Sequence, residues 1–301
     1  MTGLTELSEH FFLSRLGVTR SKFDSFKKRY GKVNEHNAMV PRDFWIEPHE
    51  RQAIVEFHAK NPLEGYRRLT FMMLDTNVAA VSPATTYRVL RGAGLLDKNT
   101  KTPSKKGTGF VQPDAAHKHW HVDISYINIM GTFYYQCSLL DGYSRNIVHW
   151  EIHESMTEQQ VEIVVERAKE KYPNAKPKII SDNGPQFIAK DFKEFLRQSE
   201  MTHARISPGY PQSNGKIERW HKTLKEESIR VTPPKSLEDA RKIVERFVNH
   251  YNGVRLHSAI GYITPQDYLD GKEKQIWQDR DTKLEKAREE RRIKRQKGVD
   301  P

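Results

Sequence analysis

Residues 120–129 read WHVDISYINI, and this stretch decides the fold. Apolar and polar residues alternate along it with the period of a half-buried β-strand. Asp123 interrupts a segment whose neighbours otherwise favour a sheet. An acid inside a strand is costly to bury unless it is paired or holds a metal. Asp123 therefore needs a chemical reason to be there.

The pattern continues outward as an α/β domain. Gly131 marks a turn, residues 132–140 (TFYYQCSLL) give a second strand, Asp141-Gly142 signals a hairpin and residues 146–153 a third strand. Residues 157–172 form an amphipathic helix with Val161, Val164, Val165 and Ala168 on one stripe. A short buried strand at 177–181, a helix at 190–199 and a strand at 201–207 follow. A Pro/Gly-rich loop, SPGYPQSNG at 207–215, leads into one helix over 216–230. Ser236 opens a further helix over 236–252. Three strands, helix, strand, helix, strand, helix implies one mixed central sheet flanked by helices.

The N-terminal third is helical. Residues 8–17 carry apolar residues at helical spacing and stop at Gly17, and Thr19 or Ser21 can cap the next helix. Helices follow at 48–60 and 66–75, and Ser82-Pro83 announces another. Helix, turn, helix is a DNA-binding layout, and the last helix would offer Thr85, Thr86 and Arg88 from an exposed N-terminal half. Packing helices share this layout. Residues 97–117 form a basic linker rich in Lys, Thr, Pro and Gly. The expected domains are thus 1–96, helical and DNA-binding; 97–117, linker; 118–270, catalytic core with following helices; and 271–301, a charged tail. The tail reads equally as a solvated helix, a short coiled coil or a basic arm.

Bulk properties narrow the partners. The 301 residues carry a formal net charge of +11, which favours a polyanion such as nucleic acid. The single cysteine, Cys137, excludes an intrachain disulfide and a zinc site built on several cysteines. No apolar run suits a membrane span and the N-terminus lacks a signal-peptide layout, so a cytosolic location is the expectation.

Two further acids stand where this layout brings them towards Asp123. Asp182 lies just beyond the fourth strand, before Asn183-Gly184, and Glu218 lies on the helix after the Pro/Gly loop. Alone, Asp182 is a turn residue and Glu218 an ordinary helical surface charge. Lys222 and Lys225 share a helix face with Glu218, suited either to DNA or to a simple Glu–Lys surface pair. His121 and His221 lie near these acids in sequence, and packed or hydrogen-bonded histidines are commoner than metal ligands. Trp150, Trp220 and Tyr251 read as core.

Three blocks together carry a resemblance. Trp120–Asp123, Ser181–Phe187 and Gly209–Arg219 resemble the catalytic blocks of bacterial insertion-sequence transposases that share their core with retroviral integrases. Tyr251-Asn252 through Arg255, His257, Gly261 and Thr264-Pro265 resembles the segment that follows that core. The resemblance covers about residues 118–270. The N-terminal region lacks the cysteines of the retroviral zinc module, which favours the bacterial branch.

The resemblance implies an RNase H-like fold and an enzyme that cleaves and joins DNA at transposon ends. Asp123, Asp182 and Glu218 would hold two Mg²⁺ ions, with Mn²⁺ able to substitute. Arg219 and Asn214 join Lys222 and Lys225 as expected DNA contacts. The family pattern further implies a homo-oligomer on DNA, transposon-end and target DNA as partners, a nucleoid-associated bacterial location, and an upstream-encoded DNA-binding partner as an option. A catalytically silent DNA-binding regulator and an RNase H-like nuclease without joining activity are the competing readings.

Overall fold

The structure, a computed structural model, describes residues 8–30, 45–96, 112–205 and 214–297. The Pro/Gly loop up to Ser213 and the linker up to residue 111 lie outside them.

Strand β1 (His119–Ile129) is the centre of the sheet. It pairs antiparallel with β2 (Thr132–Asp141), Asp123 standing opposite Ser138. Their turn is two residues long, with Met130 at φ 50 and Gly131 at φ 91. Positive φ at both positions matches the right-handed twist of a tight hairpin. Strand β3 (Ile147–His153) continues antiparallel on β2 after an irregularity at Leu139/Leu140. On the other side, β4 (Lys178–Ser181) runs parallel to β1 and β5 (Thr202–Arg205) parallel to β4. The order β3-β2-β1-β4-β5, with two antiparallel and two parallel pairings, is the RNase H-like sheet that the resemblance implied.

Alternation along the strands feeds two cores. Trp120, Val122, Cys137 and Leu139 pack against α6 (Glu158–Lys171) and α8 (Lys190–Gln198), through Val161, Val164, Val165, Phe192 and Leu196. Ile127, Ile129 and Leu140 pack on the opposite face against α9 (Gly215–Leu224) and α10 (Leu237–Gly253), through Ile217, Trp220, Leu224 and Val244. Trp220 and Tyr251 are buried, as expected of core residues, whereas Trp150 is half-buried. The short α7 (Pro185–Ile188) adds Phe187 to the first core.

Helices α3 (Pro48–Lys60), α4 (Tyr66–Asp75) and α5 (Pro83–Gly92) bury Ile54, Leu69, Met73 and Leu90 among themselves. Ser82 caps α5 through the Thr85 amide, and Pro83 occupies the first turn. This segment is tied to the chain that follows the sheet. The Arg68 Nε donates to the Leu256 carbonyl at 2.9 Å, Phe71 stacks on Tyr262 at 4.7 Å, and Arg280 reaches both Asp75 oxygens at 2.8 and 2.7 Å. Residues 48–287 accordingly form one compact unit. It also contains α11 (Pro265–Leu269) and most of α12 (Glu273–Lys297).

A second unit comprises residues 1–47 and 288–301. Its α1 (Glu9–Leu16) is capped by Ser8 and ends at Gly17 with φ 62; Thr19, not Ser21, caps α2 (Arg20–Arg29). An Arg20–Glu9 pair at 3.2 Å links the two helices.

Two expectations change. Thr85 and Thr86 are buried rather than exposed. The Thr70 hydroxyl donates to that of Thr86 at 2.8 Å, and Thr85 engages Ser82. Their hydroxyls are satisfied within the bundle, so the face towards solvent carries Tyr87, Arg88 and Arg91 instead. The helix expected over 216–230 gives way after Leu224 to a π turn, Lys225–Ile229. The tail is helical from Glu273 to Lys297. Among the described residues no helix is long and apolar enough to cross a membrane.

Candidate active site

Three elements carry the acids to one end of the sheet. Asp123 lies on β1 beyond the residues that pair with β4, which are His119–His121 only. Asp182 follows β4 directly. Its Oδ1 accepts from the Gly184 amide at 2.9 Å, and a Cβ on Gly184 would stand 3.1 Å from that oxygen. The Asp-Asn-Gly turn therefore has its glycine where the carboxylate leaves little room for a side chain. Glu218 lies in the first turn of α9, exposed. Trp220 anchors that helix by donating from Nε1 to the Ser138 hydroxyl at 3.2 Å, and Lys216 Nζ donates to the Gly142 carbonyl at 2.8 Å.

The charges of the other two acids are felt at Asp123. The Asp123 carboxyl is pushed up to about 7, first by burial and next by the charge of Asp182, with Glu218 adding to it. The Ile124 amide and the Lys225 ammonium oppose the shift. Lys225 is held below its usual range, chiefly by burial.

An open groove is lined by Asp123, Ser125, Tyr126, Glu218, His221, Lys222, Lys225, Glu226 and Arg230, among others. Lys222 and Lys225 thus share a groove with two of the acids, as helix periodicity predicts. Lys222 also lies 3.7 Å from Glu226. Arg219 is exposed but does not line the groove. Asn214, an expected DNA contact, is buried at the start of α9 beside His121. Arg88 is exposed on α5, and its guanidinium donates to the Thr85 hydroxyl at 3.3 Å.

Both histidines near the acids are deeply buried and neutral. His121 and His221 are each depressed to about 3, in both cases mainly by desolvation. Nδ1 of His221 stands 3.5 Å from Asp123 Oδ2. Sequence proximity placed His221 near Glu218; its closeness to Asp123 depends on how α9 crosses β1. Ser125 and Arg230 were not singled out from the sequence. Ser125 lies two residues from Asp123 on the same strand face, and that period is the signal that could have found it.

The segment after the core acts as a set of structural ties. Asn252 accepts from the Ile147 amide at 2.9 Å and donates to its carbonyl at 3.1 Å. Arg255 grips both Glu227 oxygens at 2.9 and 2.6 Å, which fastens the π turn. Thr264 caps α11.

Chemically, hard carboxylate oxygens with basic side chains beside them suit a divalent cation such as Mg²⁺ or Mn²⁺. Among the described residues, no group of three or more His, Cys, Asp or Glu side chains stands in metal-holding geometry. Asp182 and Glu218 face solvent.

Two models of the integrase core domain match the chain, at residues 113–211 and 199–265, and together they span half of it. The transposase InsD for insertion element IS2A/D/F/H/I/K of Escherichia coli is 29% identical over 224 residues, 69% of this chain and 74% of that protein. The transposase InsD for insertion element IS2D of Escherichia coli strain K12 matches to the same extent. Among solved structures, the simian T-cell lymphotropic virus intasome in complex with PP2A regulatory subunit B56 gamma is similar with a TM-score of 0.47 and 16% identity, over 71% of this chain and 73% of that one. The catalytic core domain of BIV integrase is similar at 0.41 and 21%, over 54% and 99%. The matched models, the IS2 relatives and the mixed RNase H-like sheet agree: the chain belongs to the integrase core domain family and is an insertion-sequence transposase, an enzyme of the polynucleotidyl transferase type.

Proposed function

We propose that Asp123, Asp182 and Glu218 are the catalytic acids of this transposase and hold two divalent cations, Mg²⁺ with Mn²⁺ as a substitute. The observation that carries the reading is Asp123, an acid inside β1 that opens onto one groove with Glu218, Lys222 and Lys225 and whose carboxyl is pushed up by burial and by the other two acids. A cation between these carboxylates would relieve that repulsion. Once bound, the metal pair supplies positive charge for the attacking and leaving oxygens during displacement at phosphorus.

The chain's own residues do the rest. The three carboxylates would hold the cations that draw the scissile phosphate to the groove. Lys222 and Lys225 neutralise adjacent phosphates, with Arg219 available outside the groove and Arg88 on α5. A water oxygen bonds to phosphorus as the strand's 3′ oxygen leaves and becomes a hydroxyl. That hydroxyl then attacks a target phosphate, so one phosphodiester bond forms as another breaks and no protein adduct is needed. Helices α3–α5 serve as a helix-turn-helix DNA-binding region and the residues before β1 as a basic linker. The active species is a homo-oligomer bridging transposon ends and target at the bacterial nucleoid, with or without an upstream-encoded DNA-binding partner.

The test is Asp182→Asn. The substitution keeps Oδ1 to accept from Gly184, so the turn survives while one charge is lost. Metal-dependent cleavage and joining should fall at least about a thousandfold, the equivalent of some 4 kcal/mol of lost charge stabilisation. DNA binding should persist. Undiminished cleavage would remove Asp182 from the site.

A further inference from the structure

Three large apolar side chains stand open at one tip of the sheet. Tyr126 is 54% exposed, Phe133 61% and Met130 80%. All belong to the β1–β2 hairpin. Tyr126 faces Tyr135 across the ladder, with ring centroids 5.1 Å apart. Tyr126 and Phe133 meet edge to face at 6.4 Å and 87°, so neither ring covers the face of the other. Met130 takes φ 50, where Asn, Asp or Gly is the favoured residue; the turn thus keeps an apolar side chain at a conformational cost. Surface apolar residues scattered singly need no explanation, but a contiguous cluster does.

The position of the cluster says what it meets. Beyond His121, β4 no longer pairs with β1, and the open strand edge lines the groove from Asp123 to Tyr126. Three residues of strand span about 10 Å, the length of roughly three stacked base steps. Asp123 and Tyr126 point to opposite faces of the sheet. In a nucleotide, phosphate and base likewise lie on opposite sides of the sugar. A DNA strand laid along this edge would offer a phosphate to the acids, with Lys222 and Lys225 beside it, and turn a neighbouring base towards the rings.

We propose that Tyr126 and Phe133 form a stacking platform for unpaired bases of the DNA strand next to the phosphate being cut. The platform favours ends whose flanking base pairs have opened, because a paired base has no free face to give. The proposal rests on the transposase reading and adds to it a subsite for single-stranded DNA.

The experiment compares two synthetic probes of one sequence, a fully paired duplex and a fork with unpaired terminal nucleotides. Each carries 2-aminopurine at the unpaired position. Wild-type protein should bind the fork more tightly and quench its fluorescence. Phe133→Ala and Tyr126→Ala should each weaken fork binding by roughly 5- to 150-fold, the range for losing one aromatic–base stack, and relieve the quenching. Tyr126→Phe should retain both, and duplex binding by Phe133→Ala should stay within about twofold of the wild type. Phe133 is the more exposed ring, so its variant tests the idea even where Tyr126→Ala lowers the melting temperature. Equal fork and duplex binding by all variants overturns the platform while leaving the transposase reading intact. So does a change in oligomeric state on Phe133→Ala with fork binding unchanged, which would assign the cluster to self-association. Failure of wild-type protein to bind or cleave either DNA with Mg²⁺ overturns both.

Discussion

Nδ1 of His221 lies 3.5 Å from Oδ2 of Asp123, both at the floor of the groove. The distance is long for a hydrogen bond, and His221, held neutral by burial, brings no charge to the contact. Its effect is positional: the imidazole fills the space against which the carboxylate rests. His221→Ala should therefore raise the Mg²⁺ concentration needed for half-maximal cleavage by roughly 10- to 100-fold, the usual effect of losing a residue that orients a metal ligand. Cleavage at saturating Mg²⁺ should recover most of its rate, and metal-free DNA binding should not change. A metal titration reads this directly; an unaltered half-saturation point would show that Asp123 needs no such support.

Asp123 predicts how metal-free stability responds to pH. Its carboxyl stands at about 7 in the folded chain against an ordinary 3.8. Protonation is thus easier in the folded state. The resulting stabilisation is full below pH ~4 and is lost as pH rises through ~7. Its size is about 2–4 kcal/mol, the lower end allowing for the open side of the groove. Asp123→Asn removes the ionisation. The variant should melt above the wild type at pH 8 without divalent ions, and the gap should close towards pH 4. Mg²⁺ at pH 8 should raise the melting temperature of the wild type more than that of the variant. Parallel melting curves across this pH range would show that the carboxyl is not held in this way.

Much of the fold was legible because local chemistry and global packing agree. Thr19 and Ser82 cap the helices that they precede, and Gly131 turns the hairpin. Asp123 stood out because a strand interior gives an acid no ordinary role. Thr85 and Thr86 misled for a physical reason. Residue type marks them as polar, yet two threonines on facing helices can satisfy each other, as Thr70 and Thr86 do. The solvent face of a ten-residue helix cannot be fixed without knowing what it packs on. The π turn after Leu224 was illegible for a similar reason: Glu227 turns towards Arg255, 28 residues away, and no local pattern records that pull. The closeness of His221 to Asp123 likewise depends on the crossing of α9 over β1, which sequence spacing does not state.

Asn252 separates scaffold from chemistry within the segment that follows the core. Its amide pairs with both backbone groups of Ile147, at 2.9 and 3.1 Å, and so clamps the start of β3 to the end of α10. Removing the side chain leaves a buried N–H and a carbonyl short of a partner, which costs about 2–3 kcal/mol. Asn252→Ala should lower the melting temperature by roughly 4–10 °C for a chain of this size. Asn252→Asp keeps the acceptor and loses the donor, so it should fall between. Below the transition, Mg²⁺ half-saturation and DNA affinity should match the wild type, since neither backbone group of Ile147 lines the groove. Melting curves and a cleavage assay at low temperature decide the matter together. Lost cleavage with an unchanged melting temperature would move Asn252 out of the scaffold and into contact with DNA.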